Sequence, residues 1–153
     1  MSGFIERGGF WIAGQGVLMA GVVAGAWVWR DQWQSPVTII LAIGAFVLAA
    51  VFGLLGAVAL GRNLTPFPKP GQRVTLVRHG IYGLVRHPLY TSVMLASLGW
   101  TLIWASGPAL ALTVVLGLFF NAKAAREEHW LRERFPEYQD YARRVRRLIP
   151  WIY

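Results

Sequence analysis

The chain has 153 residues, of which 56% are hydrophobic and 14% charged, against about a quarter charged in soluble domains, so its length allows one domain and its composition disfavours a soluble one. With no cysteine it has no disulfide, thiolate metal site or cysteine nucleophile. The net charge of +8 would suit nucleic acid, but nearly all of it lies in two blocks beside apolar runs, where basic residues set membrane topology and attract anionic headgroups.

In chain order, Gly8 to Trp29 carries no charge and is long enough to cross a hydrocarbon core, which needs about 20 residues. Trp27, Trp29 and Trp33 follow where an aromatic belt belongs. Val37 to Leu60 is a second uncharged run, entered through Ser35-Pro36, a helix-start signal. Gly21 and Gly25 in the first run, and Ala49, Gly53 and Gly56 in the second, are small residues suited to close helix contact. Residues 62–88 form a polar connector holding Arg62, Lys69, Arg73, Arg78 and Arg86 without an acidic residue. Its Thr65-Pro66-Phe67-Pro68-Lys69-Pro70-Gly71 stretch cannot be a continuous helix.

Leu89 to Ala122 is apolar for 34 residues, interrupted by Ser106-Gly107-Pro108. One helix of that length would overshoot the bilayer, so the pattern predicts a hairpin of two short spans, about 89–105 and 108–125. The second continues as helix past Lys123, lifting Glu127 and Glu128 to the surface. The basic, aromatic tail 126–153 suits an interfacial helix after Phe135-Pro136. The expected fold is an all-α integral membrane protein with about four spans, a single domain, and connector, tail and both termini on the cytoplasmic face.

Polar chemistry concentrates in Val74-Thr75-Leu76-Val77-Arg78-His79-Gly80-Ile81-Tyr82-Gly83-Leu84-Val85-Arg86-His87-Pro88-Leu89-Tyr90. Pro88 suits a first helical position. His87 then stands at a helix start, where outward N–H groups favour an anionic ligand group, and Tyr82 and Tyr90 offer faces for a planar base or a cation. The alternative is a belt of tyrosines with Arg78 and Arg86 on headgroups. A second cluster is Lys123-Ala124-Ala125-Arg126-Glu127-Glu128. Carboxylates at the end of a span are costly unless paired or facing a polar cavity; the alternative is a charged helix exit with Lys123 and Glu127 paired four apart. Gly14-Gln15-Gly16 is not a dinucleotide fingerprint, because no strand precedes it. No charge lies inside the first two runs, which disfavours a channel or proton-driven transporter.

Taken together, Leu76-Val77, Gly80, Tyr82, Arg86-His87-Pro88, Tyr90, Glu127-Glu128, Leu131, Phe135, Tyr138, Tyr141 and Ile149-Pro150 resemble the isoprenylcysteine carboxyl methyltransferases and the related phospholipid methyltransferases. The resemblance covers the last ninety residues or so and implies a multi-span helical enzyme that takes S-adenosylmethionine from the cytosol and methylates a lipophilic or small acceptor. It implies a cofactor pocket of Val74, Thr75, Leu76, Val77, Tyr82, His87, Pro88, Leu89, Tyr90 and Glu127. Lys123 falls where prenylcysteine enzymes carry a substrate-side arginine, and a lysine lacks arginine's bidentate fork. For an amine or thiol acceptor, His87 or Glu128 is the nearby candidate base; a carboxylate acceptor needs none. The acceptor is expected to enter sideways, past Trp100 and Trp104. Two alternatives are a nicotinamide-dependent membrane reductase and a non-catalytic lipid-binding relative.

Overall fold

The computed structural model describes residues 8–65, 67 and 75–153. Val74, Lys69, Arg73 and most of the proline-rich stretch lie outside these residues. Helix α1 runs Gly9–Val28, α2 Pro36–Leu60, α3 Pro88–Trp104, α4 Gly107–Arg134 and α5 Tyr138–Arg144, with short 3-10 turns at Gly61–Asn63 and Gly80–Gly83. Among the described residues there is no strand, only an isolated bridge between Val85 and Arg146.

Each boundary has a local cause. At α2, Ser35 and Thr38 form a reciprocal cap: the Thr38 N–H donates to Ser35 Oγ at 3.2 Å and the Ser35 N–H to Thr38 Oγ1 at 3.0 Å. Pro36 occupies the first turn, where its missing N–H costs nothing. Helix α3 also starts on a proline, Pro88, and stops where Ala105 turns left-handed at φ 48°. Ser106 then caps α4, accepting from the Ala109 N–H at 3.4 Å.

Two tight helix pairs build the bundle. Along α2 and α3, Ser92 Oγ donates to the Ala49 carbonyl at 2.7 Å, and a Cβ on Gly99 would stand 3.1 Å from both the Ala42 carbonyl and the Phe46 ring. Along α1 and α4, a Cβ on Gly21 or on Gly25 would stand 3.5 Å from Leu112. The small residues therefore bring helices of one chain into contact, as such residues do where apolar solvent supplies no hydrophobic drive. At the turn end, the Asp31 N–H donates to Trp104 O at 2.9 Å, the Gln32 N–H to Ala105 O at 3.1 Å, and the Gly107 N–H to Gln32 Oε1 at 2.7 Å. The α1–α2 and α3–α4 turns are thus tied together.

The outer faces are apolar and bare: Val17 is 72% exposed, Leu54 68% and Val58 79%. Such surface needs lipid around it. Three helices, Gly9–Val28, Pro36–Asn63 and Gly107–Arg134, are long and apolar enough to cross a membrane. At 17 residues, α3 is about 25 Å long and shorter than a standard span. The tail is helical for only part of its length. Its helix α5 has only 7 residues, with Tyr138 and Tyr141 buried, because the following segment turns back to pair with residues 85–87.

Candidate functional site

At one end of the bundle, the end of α2, the connector, the start of α3, the exit of α4 and α5 enclose a cavity of about 780 Å³, counting open solvent at its mouth. Thr75, Leu76, Val77, Tyr82, His87, Leu89, Tyr90 and Glu127 all line it. Pro88 is buried beside it, against α2 near Gly56.

Within the lining, Glu127 Oε2 accepts from Tyr90 Oη at 2.7 Å and stands 3.7 Å from His87 Nδ1. Among the described residues no donor reaches its Oε1. The Tyr90 ring is sandwiched between His87, parallel to within 2° at 5.2 Å, and Phe120 at 4.9 Å. The helix start is partly used: the His87 N–H donates to Arg147 O at 3.1 Å and the Tyr90 N–H to His87 O at 3.1 Å. Among the described residues the Leu89 N–H meets no acceptor. Tyr138 Oη is buried without a hydrogen-bond partner, in the wall of the same cavity. Burial raises the Tyr82 phenol far above its ordinary 10.0, and the Glu127 carboxylate adds to the shift, so at neutral pH Tyr82 is an uncharged ring.

Glu128 sits behind this wall and does not line it. Fully buried, it accepts from Arg86 Nη2 at 2.9 Å and Nε at 3.0 Å, from Arg147 Nε and Nη2 at 3.0 Å, and from Arg132 Nη2 at 3.3 Å, with His87 Nε2 at 3.2 Å. The expected separation of roles between adjacent carboxylates is therefore spatial. Glu127 faces the cavity, and Glu128 faces the arginines. The tail supplies the rest of the wall. The Arg86 N–H donates to Arg146 O at 2.8 Å, Arg86 Nη1 to the Ala142 and Val145 carbonyls, Thr91 Oγ1 to Leu148 O at 2.7 Å, and Tyr141 Oη to Tyr82 O at 2.6 Å.

Lys123 does not pair with Glu127. It is 1% exposed, and its Nζ donates to Gln15 Oε1 on α1 at 2.7 Å while standing 5.1 Å from the Tyr90 ring centre and 5.9 Å from that of Phe120. No carboxylate lies within 4 Å of it among the described residues. The expected side opening is displaced. Met19, Val23, Trp27 and Trp100 line an apolar groove between α1 and α3, but Trp104 is packed on Trp27 at 5.2 Å and on Trp100 at 5.7 Å. Trp100 stands thirteen positions after His87, about 20 Å along α3, so the groove opens toward the other end of the bundle. Sequence reasoning gave no site role to Asn63, Phe67, Arg86, Tyr138 or Tyr141 in the wall, nor to Gln15. A single amide in an otherwise apolar run is the signal that marks Gln15.

A multi-pass membrane protein with one polar pocket at its end fits a small class of membrane enzymes, and the comparisons with known proteins narrow it. The profile of the phospholipid methyltransferase family matches residues 37–138, and the chain belongs to that family. It is 32% identical over 149 residues to the cobalt-zinc-cadmium resistance protein CzcN of Cupriavidus metallidurans, covering 95% of this chain and 64% of that one. The nickel-cobalt-cadmium resistance protein NccN of Alcaligenes xylosoxydans xylosoxydans is 30% identical over 150 residues, 95% of this chain and 65% of that one. A probable protein-S-isoprenylcysteine O-methyltransferase of Oryza sativa is 32% identical over 111 residues, 69% of this chain and 58% of that one. The chain thus spans less than two thirds of the length of these relatives.

Proposed function

We propose that the chain is an S-adenosylmethionine-dependent methyltransferase that crosses the membrane four times, with α3 as a short span and with the pocket and both termini on the cytoplasmic side. The observation that carries this reading is the polar inventory of the cavity. A buried phenol without a partner, Tyr138 Oη, and a carboxylate oxygen that no donor reaches among the described residues, Glu127 Oε1, share the wall with aromatic and aliphatic side chains and with Asn63, Thr75, Arg86 and His87. A ligand that brings an ammonium, a carboxylate and a planar base supplies what these groups lack. Leaving the phenol unpaired would cost about 1–3 kcal/mol.

In this reading Glu127 holds the amino group of the cofactor, with Tyr90 fixing the carboxylate rotamer through its 2.7 Å hydrogen bond. The Leu89 N–H, at the positive end of α3, faces the cofactor carboxylate. Tyr82 and Tyr90 give ring faces to the base and the sulfonium. When bound, S-adenosylmethionine supplies an electrophilic methyl group for in-line displacement. The protein's part is to align donor and acceptor and exclude water.

His87 and Glu128, the candidate bases, serve as positioning groups here. Both His87 nitrogens face carboxylates, and Glu128 is engaged by three arginines. A site without a base favours an acceptor that arrives already anionic, a carboxylate or a thiolate, over an amine. Lys123 is the cation on the acceptor side, facing α1 across Tyr90, and the acceptor reaches it from the lipid.

The test is calorimetric binding of S-adenosylmethionine to the reconstituted protein, with Glu127→Ala beside the wild type. Binding on the order of micromolar that is lost in the variant supports the reading. A folded wild type that binds no S-adenosylmethionine refutes it.

A further inference from the structure

After Leu148, which is buried, the chain makes a closed turn. The Leu148 and Ile149 N–H groups donate to Tyr153 O at 2.8 and 2.7 Å, and the Tyr153 N–H returns to Ile149 O at 3.0 Å. The turn holds Trp151 at φ 61°, a left-handed conformation that a tryptophan adopts only when its surroundings impose it. It displays large apolar groups outward: Trp151 is 81% exposed and Ile152 76%. Arg144 and Arg146, also exposed, precede it.

The depth of this turn is fixed by α4. Tyr153 Oη donates to Asn121 Oδ1 at 3.2 Å and Arg147 Nη1 to the same oxygen at 2.8 Å. Asn121 lies seven residues before Glu128, about 10 Å along the helix toward the bilayer centre. Tyr153 therefore sits against α4 beside Phe120, whose ring packs on the pocket residue Tyr90, and the exposed apolar groups of the turn follow two exposed arginines in the chain. That is the arrangement an amphipathic anchor uses at an anionic membrane surface.

We propose that Ile149–Tyr153 is a bilayer-interface anchor that clamps the pocket wall, making cofactor affinity depend on an anionic membrane. The coupling is short: residues 146–148 give their carbonyls to Arg86, His87 and Thr91, and Arg147 holds Glu128. A turn seated in lipid holds this segment in register against α3. A turn with no lipid to seat in leaves the segment held only by its hydrogen bonds and by Leu148, without that added restraint. The coupling part rests on the pocket being a cofactor site; the anchoring part does not.

Because the chain has no cysteine, Ile152→Cys gives a single site for a nitroxide label. The full chain is reconstituted in bilayers of phosphatidylcholine with phosphatidylglycerol, and the label's collisions with oxygen and with a water-soluble nickel chelate are compared. Preferential oxygen access supports the anchor. Preferential chelate access overturns it, and so does a label shielded from both reagents, which would indicate a protein partner. In parallel, S-adenosylmethionine affinity is measured for the wild type and for Trp151→Ser with Ile152→Ser, in anionic and in neutral bilayers, with melting confirming the fold. The double variant in anionic bilayers, and the wild type in neutral ones, should bind about ten-fold more weakly than the wild type in anionic bilayers, a usual size for coupling between sites. Equal affinities with an immersed label overturn the clamp. A wild type that binds no S-adenosylmethionine in either bilayer overturns the clamp and the methyltransferase reading together, while the label result still decides the anchor.

Discussion

Replacing Glu128 with glutamine keeps the shape of a fully buried side chain, removes its charge and turns one acceptor oxygen into a donor. Two guanidiniums, Arg86 and Arg147, with side chains 10% and 20% exposed, then lose the one carboxylate they share. Breaking a buried ion pair from one side costs about 3–5 kcal/mol. The retained amide oxygen and the carbonyls around Arg86 place the expected loss near the lower end, about 3 kcal/mol. For a chain of this size each kcal/mol moves the melting midpoint by roughly 2–4 °C, so Glu128→Gln should melt roughly 6–12 °C below the wild type in the same detergent. Arg132→Ala removes one 3.3 Å contact from a half-exposed arginine and should shift the midpoint by only about 2 °C, as a surface pair does. The assay is fluorescence-monitored thermal unfolding of both variants beside the wild type. A Glu128→Gln midpoint within about 2 °C of the wild type would refute the view that this carboxylate holds the site together.

Three further outcomes follow from the same geometry. Tyr90→Phe keeps the ring stack but loses the hydrogen bond to Glu127; by calorimetry it should weaken S-adenosylmethionine binding about ten-fold, a usual size for such coupling, and the melting midpoint should fall too, since the bond is made without ligand and is worth about 1.5–3 kcal/mol. Gln15→Leu removes the hydrogen-bond acceptor of the buried Lys123 ammonium; it should cost about 1–3 kcal/mol in thermal unfolding, and Gln15→Glu should recover that loss. Burial raises the phenols of Tyr82, Tyr138 and Tyr141 above their ordinary 10.0. The folded state therefore keeps its protons while the unfolded chain releases them, so the contribution is complete below pH 10 and is lost as pH rises above it; melting midpoints measured from pH 8 to 11 should fall at the alkaline end, and less steeply for Tyr82→Phe.

What the sequence disclosed followed from short-range rules. Uncharged runs coincide with helices because burial in lipid needs no periodicity. Ser35-Pro36 and Ser106-Gly107-Pro108 mark helix starts through caps that reach only three residues. The pocket lining was legible from Thr75 to Tyr90 and at Glu127 because the family motif is written along the chain. What stayed hidden is long-range. Nothing in the spacing of Lys123 and Glu127 reveals that the lysine turns to Gln15, 108 positions away. The division between Glu127 and Glu128 is a helical rotation of one residue, and its meaning appears only once Arg147 arrives from the tail. A lipophilic acceptor entering from the bilayer calls for an opening between spans, but the helix rise carries the Trp100 groove toward the other end of the bundle.

The bridge between Val85 and Arg146 also sets an order of assembly. The segment that completes the pocket is synthesised after every helix it joins, so the spans can leave the translocon and pack while the site is still open. A nascent chain arrested before residue 146 would be inserted and protease-resistant in its helices, yet would have no wall opposite His87. Competence for ligand would thus be acquired only once residues 146–148 have been made, as a step separate from insertion.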